Sequence, residues 1–142
     1  MKKIKILFVC IHNSARSQMA EAFINRKYSD NFESESAGIE PGELNPIVVQ
    51  AMKERDIDIS GNIPQSVHDK LSTSYNYVIT VCDETNAERC PLFPGRGERL
   101  HWGFPDPSAL TGTDEEKLEG TRNIRDEIEE KIDEFVKSVD FE

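Results

Sequence analysis

Short apolar runs alternate along the chain with segments that have helical periodicity. Residues 4–9 (IKILFV) and 77–81 (YVITV) are β-branched and aromatic runs, which are typical of buried strands. The mixed segment 31–39 predicts a shorter strand that ends at Gly38, and residues 99–102 predict a last strand. The pattern therefore predicts four strands.

Apolar residues at helical spacing lie between these strands and again near the C-terminus. A first helix is predicted over residues 17–23, with Ser17 at its start. A second is predicted over residues 47–55, because Asn45 is a good N-cap and Pro46 suits the first helical position. A short helix is predicted over 66–71. A long final helix is predicted over 114–139, with Gly120 marking a break or a later start.

Strands that alternate with helices predict an α/β fold, with a four-stranded parallel sheet between helices in three layers. The length predicts a single domain over residues 1–142. Ligands of such sheets bind beyond the carboxyl ends of the strands. Cys10, Cys82 and Asp106 each follow a predicted strand. We therefore expect these three residues at the same edge of the sheet.

The turn between the first strand and the first helix carries residues 10–17, CIHNSARS. Backbone N–H groups in such a turn, together with the helix dipole, form an anion site that favours the thiolate form of Cys10. Arg16 offers a planar fork for two oxygens of a tetrahedral oxyanion, and Ser17 is placed to hydrogen-bond the thiolate. The alternative is a buried cysteine near a surface arginine. The predicted substrate-binding residues are Ile11, His12, Asn13, Ser14, Ala15, Arg16 and Ser17.

Composition and charge limit the classes of molecule that this protein can be expected to bind. The net charge of −10 argues against nucleic acid or an anionic membrane surface as a partner. No apolar stretch is long enough to span a membrane, and the N-terminus leads into a strand rather than a secretory signal. We therefore expect a cytoplasmic protein, in which the three cysteines take part in a reaction rather than in structural disulfides. We also expect a monomer. The C-x7-C spacing is not that of a zinc knuckle, and neither a metal nor a cofactor is predicted.

The C-x5-R-S pattern between a strand and a helix resembles the phosphate-binding loop of the low-molecular-weight protein tyrosine phosphatases. Arsenate reductases of the same fold share this loop, and the chain resembles the thioredoxin-coupled ones over nearly its whole length. The matching segments are residues 10–21, 36–38, 58–60, 81–82, 90–91, 101–104 and 106–107. Two loop positions depart from the pattern, since His12 stands where many members have glycine and Ala15 where many have cysteine.

This resemblance implies the reduction of arsenate to arsenite. Cys10 would attack arsenate held by the loop amides and Arg16, while Asp106 protonates the departing oxygen. Cys82 would then attack Cys10, Cys90 would attack Cys82, and thioredoxin would reduce the resulting disulfide. The Cα atoms of a disulfide lie within about 7 Å of each other. Eight helical residues span about 12 Å, so a helix between Cys82 and Cys90 would have to loop out.

Two other functions stay open from the sequence. A phosphotyrosine phosphatase would need only Cys10, Arg16 and Asp106, although the tyrosine that often follows the Asp-Pro pair in such phosphatases is absent here. A non-catalytic oxyanion- or arsenite-binding protein would use the three thiols without turnover and would leave Asp106 without a role. Asp106 is then an ordinary turn residue before proline.

Overall fold

The computed structural model describes residues 3–81 and 97–139. Its strands form one sheet and are β1 (Ile4–Cys10), β2 (Phe32–Gly38), β3 (Tyr77–Thr80) and β4 (Glu98–His101). All neighbouring pairs are parallel, and the order is β2-β1-β3-β4. The predicted four-stranded parallel sheet is confirmed, and each strand begins and ends within one residue of its predicted bounds.

In the described residues, three α-helices accompany the sheet: α1 (Arg16–Lys27), α2 (Pro46–Lys53) and α3 (Asp114–Ser138). Asn45 caps α2 as predicted, because its side-chain oxygen accepts from the first backbone N–H groups of the helix. A capping box formed by Thr113 and Glu116 begins α3. The short helix predicted over residues 66–71 is a 3-10 turn, Val67–Lys70. Within the described ranges, no helix combines the length and apolar character needed to cross a membrane.

Two local predictions are wrong. Ser17 does not start α1: the N-cap is Ala15, no side chain caps this helix, and Ser17 lies buried inside the first turn. Gly120 does not interrupt α3, which is continuous from Asp114 to Ser138. A Cβ atom at Gly120 would lie 2.9 Å from a methyl carbon of Leu110. The glycine is there because it makes room for the Leu110 side chain.

The central strand β1 is buried on both faces, which is why its sequence is a continuous apolar run. Ile6 and Phe8 pack in the larger core cluster with side chains from all three α-helices. Leu7 and Val9 face the other way and pack in a smaller buried cluster, against which the partly buried Val67 of the 3-10 turn packs. Full burial of a side chain such as Phe8 contributes about 1.5–3 kcal/mol. This packing fixes β1, and with it Cys10 at its carboxyl end.

Candidate active site

The loop of residues 11–15 joins β1 to α1, and its carbonyl groups are held by donors outside the loop. The donor–acceptor pairs are Glu40 N to Ile11 O (2.8 Å), Gly42 N to His12 O (3.0 Å), Gln18 Nε2 to Asn13 O (3.0 Å) and Asn45 N to Ser14 O (3.0 Å). Across a planar trans peptide, a carbonyl and the following N–H group point in opposite directions. The N–H groups of residues 12–15 therefore point away from these donors, which is the arrangement that an anion site requires.

The sulfur of Cys10 lies within this loop. Cys10 as a whole residue is buried, with 3% of its surface exposed. The backbone N–H of Asn13 donates to Sγ over 3.1 Å, and Ser17 Oγ lies 2.9 Å from Sγ. Ser17 Oγ also accepts from Asn13 Nδ2 over 2.7 Å, which leaves its hydroxyl hydrogen to donate to the sulfur. The predicted contact between Ser17 and Cys10 is present. Two donors therefore place partial positive charge next to this sulfur.

Asn13 takes the backbone conformation that turns the loop inward. Its φ angle is +53°, in the left-handed region, which asparagine adopts more readily than most other side chains. Its side-chain oxygen accepts from the backbone N–H of Gln65 over 2.8 Å. The residue thus connects the Cys10 loop to a segment more than fifty positions away.

Arg16 and Asp106 meet beside this loop. Arg16 is 4% exposed and donates through Nη1 to the carbonyl of Phe104 over 3.1 Å. Its Nη2 lies 3.7 Å from Asp106 Oδ2. The other carboxylate oxygen of Asp106 accepts from Ser108 N over 2.9 Å. Because Oδ1 is engaged in the turn, Oδ2 is the oxygen available for proton transfer to a departing group.

The remaining predicted residues have varied surroundings. Ala15 is buried, while Ile11 and Ser14 are half-buried. His12 is exposed and its Nδ1 lies 2.9 Å from Glu40 O, so the side chain points out of the loop. Cys82 and Cys90 lie outside the described residues.

Gly38 is the residue that lets β2 approach the Cys10 loop, a role that the sequence did not reveal. It pairs with Cys10 in the sheet, and a Cβ atom there would lie 2.6 Å from Ile11 O and 2.8 Å from Asn13 N. Both of these atoms are backbone and cannot swing aside. A glycine at the end of the strand next to a cysteine-bearing strand end is the only sequence signal of this close approach.

Gly38→Ala is therefore expected to lower the free energy of unfolding by about 1–3 kcal/mol and to weaken oxyanion binding, because the loop has to shift. Urea unfolding and phosphate titration measure the two effects. Gly61→Ala is the matched control, since no atom lies within 4 Å of a Cβ there. Equal stability of the two variants would contradict the close approach.

Asn45 connects the Cys10 loop to the turn that carries Asp106. Its backbone N–H bonds to Ser14 O, and its side-chain Nδ2 donates to Ser108 Oγ over 3.0 Å. Ser108 in turn holds Asp106 through its backbone N–H. A single residue at the start of α2 thus connects the Cys10 loop with the turn that holds Asp106.

Ser108→Ala removes the acceptor for Asn45 while the backbone bond to Asp106 stays. We expect kcat for arsenate reduction to fall roughly three- to tenfold, since a misplaced catalytic group loses rate, with little change in KM because the loop keeps its donors. Steady-state kinetics measure this split. Ser108→Thr retains the hydroxyl and should stay near the wild type; a loss as large as that of the alanine variant would contradict the tether.

Glu21 lies one turn of α1 after Ser17, and its pKa is shifted upward. Burial raises the pKa of its carboxyl, and the hydroxyl of Ser36, which donates to it over 2.8 Å, opposes that rise. Among residues 3–81 and 97–139, His, Cys, Asp and Glu side chains form no group of three or more that could hold a metal ion.

The model of the low molecular weight phosphotyrosine protein phosphatase family matches residues 5–142. The chain belongs to this family. The arsenate reductase of Shouchella clausii (strain KSM-K16) is 43% identical over 138 residues, which cover 97% of this chain and 99% of that protein. The family resemblance predicted from the sequence is confirmed.

Two solved structures show the same fold. The arsenate reductase of Archaeoglobus fulgidus superposes with a TM-score of 0.75 at 29% identity, covering 94% of this chain and 99% of that one. A thioredoxin-dependent arsenate reductase of Corynebacterium glutamicum gives a TM-score of 0.69 at 29% identity, and covers 97% of this chain and 62% of its own. Members of this family that are named arsenate reductases thus match the chain along nearly all of its length.

Proposed function

We propose that this protein reduces arsenate to arsenite in the cytoplasm as a monomer, with thioredoxin as the electron donor. The observation that carries the proposal is the Cys10 sulfur, which receives two hydrogen bonds inside a loop in which four successive carbonyls, those of residues 11–14, are held by donors outside the loop. Arg16, the first residue of the helix that follows this loop, lies 3.7 Å from Asp106. A phosphatase would use the same arrangement, and the full-length match to arsenate reductases favours reduction.

In the first step, the Cys10 thiolate attacks arsenic and a sulfur–arsenic bond forms. One arsenic–oxygen bond breaks, and the departing hydroxyl leaves as water with a proton from Asp106 Oδ2. The loop N–H groups and the guanidinium of Arg16 stabilise the negative charge on the remaining oxygens. Arsenic is still in its oxidised state after this exchange.

The second step transfers the electrons. The Cys82 thiolate attacks the sulfur of Cys10, a disulfide forms, and the sulfur–arsenic bond breaks with its electron pair left on arsenic, which departs as arsenite. Cys90 then attacks the sulfur of Cys82 and frees Cys10 as a thiolate. Reduced thioredoxin restores the Cys82–Cys90 pair by the same exchange and becomes oxidised itself.

The test is NADPH consumption by thioredoxin and thioredoxin reductase when arsenate is added to this protein. We expect sustained consumption that needs arsenate, thioredoxin and the protein, and that disappears in Cys82→Ala. Hydrolysis of an aryl phosphate without NADPH consumption, surviving in Cys82→Ala, would instead make the protein a phosphatase. A lasting arsenite complex with no loss of arsenate would make it a binding protein.

A further inference from the structure

A connected series of hydrogen bonds between side chains leads from the half-buried Asn62 to the Cys10 sulfur. Asn62 Nδ2 donates to Gln18 Oε1 over 3.0 Å, and Gln18 Nε2 donates to Asn13. Asn13 Nδ2 donates to Ser17 Oγ, which lies next to Sγ. Gln18 is 2% exposed, so the middle of this hydrogen-bonded series is buried.

The direction of these bonds is fixed by two backbone groups. The N–H of Gln65 can only donate, so the atom of Asn13 that it meets is the oxygen Oδ1, and Nδ2 faces Ser17. The carbonyl of Asn13 can only accept, so the atom of Gln18 that meets it is Nε2. Every donor in this hydrogen-bonded series therefore points toward the sulfur.

Gln18 donates to both the backbone carbonyl and the side-chain oxygen of Asn13. Its Nε2 lies 3.0 Å from the Asn13 carbonyl and 3.2 Å from Asn13 Oδ1. Both hydrogen bonds to the Cys10 sulfur depend on Asn13, one through its backbone N–H and one through its contact with Ser17. A buried network of this kind polarises along its length and is strongest when every member is paired.

We propose that Gln18 is a positioning residue that favours the thiolate of Cys10 through Asn13. Its amide bonds to Asn13 and Asn62, and it reaches the sulfur through Asn13. Without the Gln18 amide, Asn13 loses the partner of its carbonyl and one of the two donors to its side chain. Asn13 is fully buried and holds both donors to Sγ, so we expect both donors to lose their alignment.

The proposal rests on the proposed nucleophilic role of Cys10, but its test does not require turnover of arsenate. Gln18→Met keeps the length of the side chain and removes its hydrogen bonds. The probe is iodoacetamide, and the rate of alkylation at Cys10 is followed by mass spectrometry of its peptide between about pH 5 and pH 9. Because only the thiolate reacts, this rate measures the fraction of Cys10 that is ionised at each pH. A purely structural role for Gln18 would not move this rate–pH curve.

We expect the curve of Gln18→Met to move to higher pH, with a roughly threefold or larger loss of rate near neutral pH and an unchanged limiting rate in alkali. Asn25→Ala is the control on the same helix, since the Asn25 side chain bonds to Ser34 of β2 and not to the Cys10 loop. An unchanged curve in Gln18→Met, or an equal shift in Asn25→Ala, would overturn the proposal.

A second variant serves if Gln18→Met does not fold. Asn62→Ala removes only the outer donor and leaves the bonds between Gln18 and Asn13, so a smaller shift in the same direction is expected. No shift in Asn62→Ala would overturn the proposal in that case. If the shifts occur but the wild type reduces no arsenate, the proposed function fails while the role of Gln18 stands.

Discussion

Replacing Cys10 with serine is expected to lower the steady-state rate of arsenate reduction by about 10⁴-fold or more, since loss of a covalent nucleophile removes the whole reaction path. A serine hydroxyl is not ionised near neutral pH, and its oxygen cannot form the disulfide that releases arsenite. The measurement is arsenite produced in the presence of thioredoxin, its reductase and NADPH.

The same variant should still bind a tetrahedral oxyanion. The loop carbonyls remain tied to their outside donors, and Arg16 keeps its bond to Phe104 O. Stabilisation of Cys10→Ser by phosphate in a thermal unfolding experiment checks this, and separates lost chemistry from lost binding. A Cys10→Ser protein that retains a tenth of the wild-type rate would show that Cys10 is not the nucleophile.

Replacing Cys90 with serine is expected to limit each protein molecule to a single turnover. The first two steps need only Cys10 and Cys82, so about one equivalent of arsenite should form and the reaction should then stop. A rapid-quench experiment measures the arsenite released. The mass of the intact protein, lower by two hydrogens, should report the trapped Cys10–Cys82 disulfide.

Cys82→Ala is the matched control for the relay. It should form the arsenic adduct at Cys10 but release no arsenite, because Cys82 is the thiol that attacks the Cys10 sulfur in this relay and Cys90 follows only after it. Continued cycling of Cys90→Ser with thioredoxin at the wild-type rate would show that Cys90 is not the resolving thiol, and the order of the relay would be wrong.

Local signals in the sequence determined most of the architecture. The apolar run of residues 4–9 predicts a strand buried on both faces, and Asn45 followed by Pro46 predicts the start of α2. The spacing between Cys10 and Arg16 sets one at a strand end and the other at the first residue of a helix. These features depend on side-chain periodicity and capping, which act over a few residues.

Only the tertiary structure decided how the Cys10 loop is held. The donors to its carbonyls include Glu40, Gly42 and Asn45, about thirty positions away, and they reach the loop because β2 pairs with β1. The amides of Gln18 and Asn62 likewise meet only after folding. Hydrogen-bond partners from distant segments leave no periodic pattern in the sequence. The sequence therefore determined where the anion loop lies, and long-range packing decided which groups orient it.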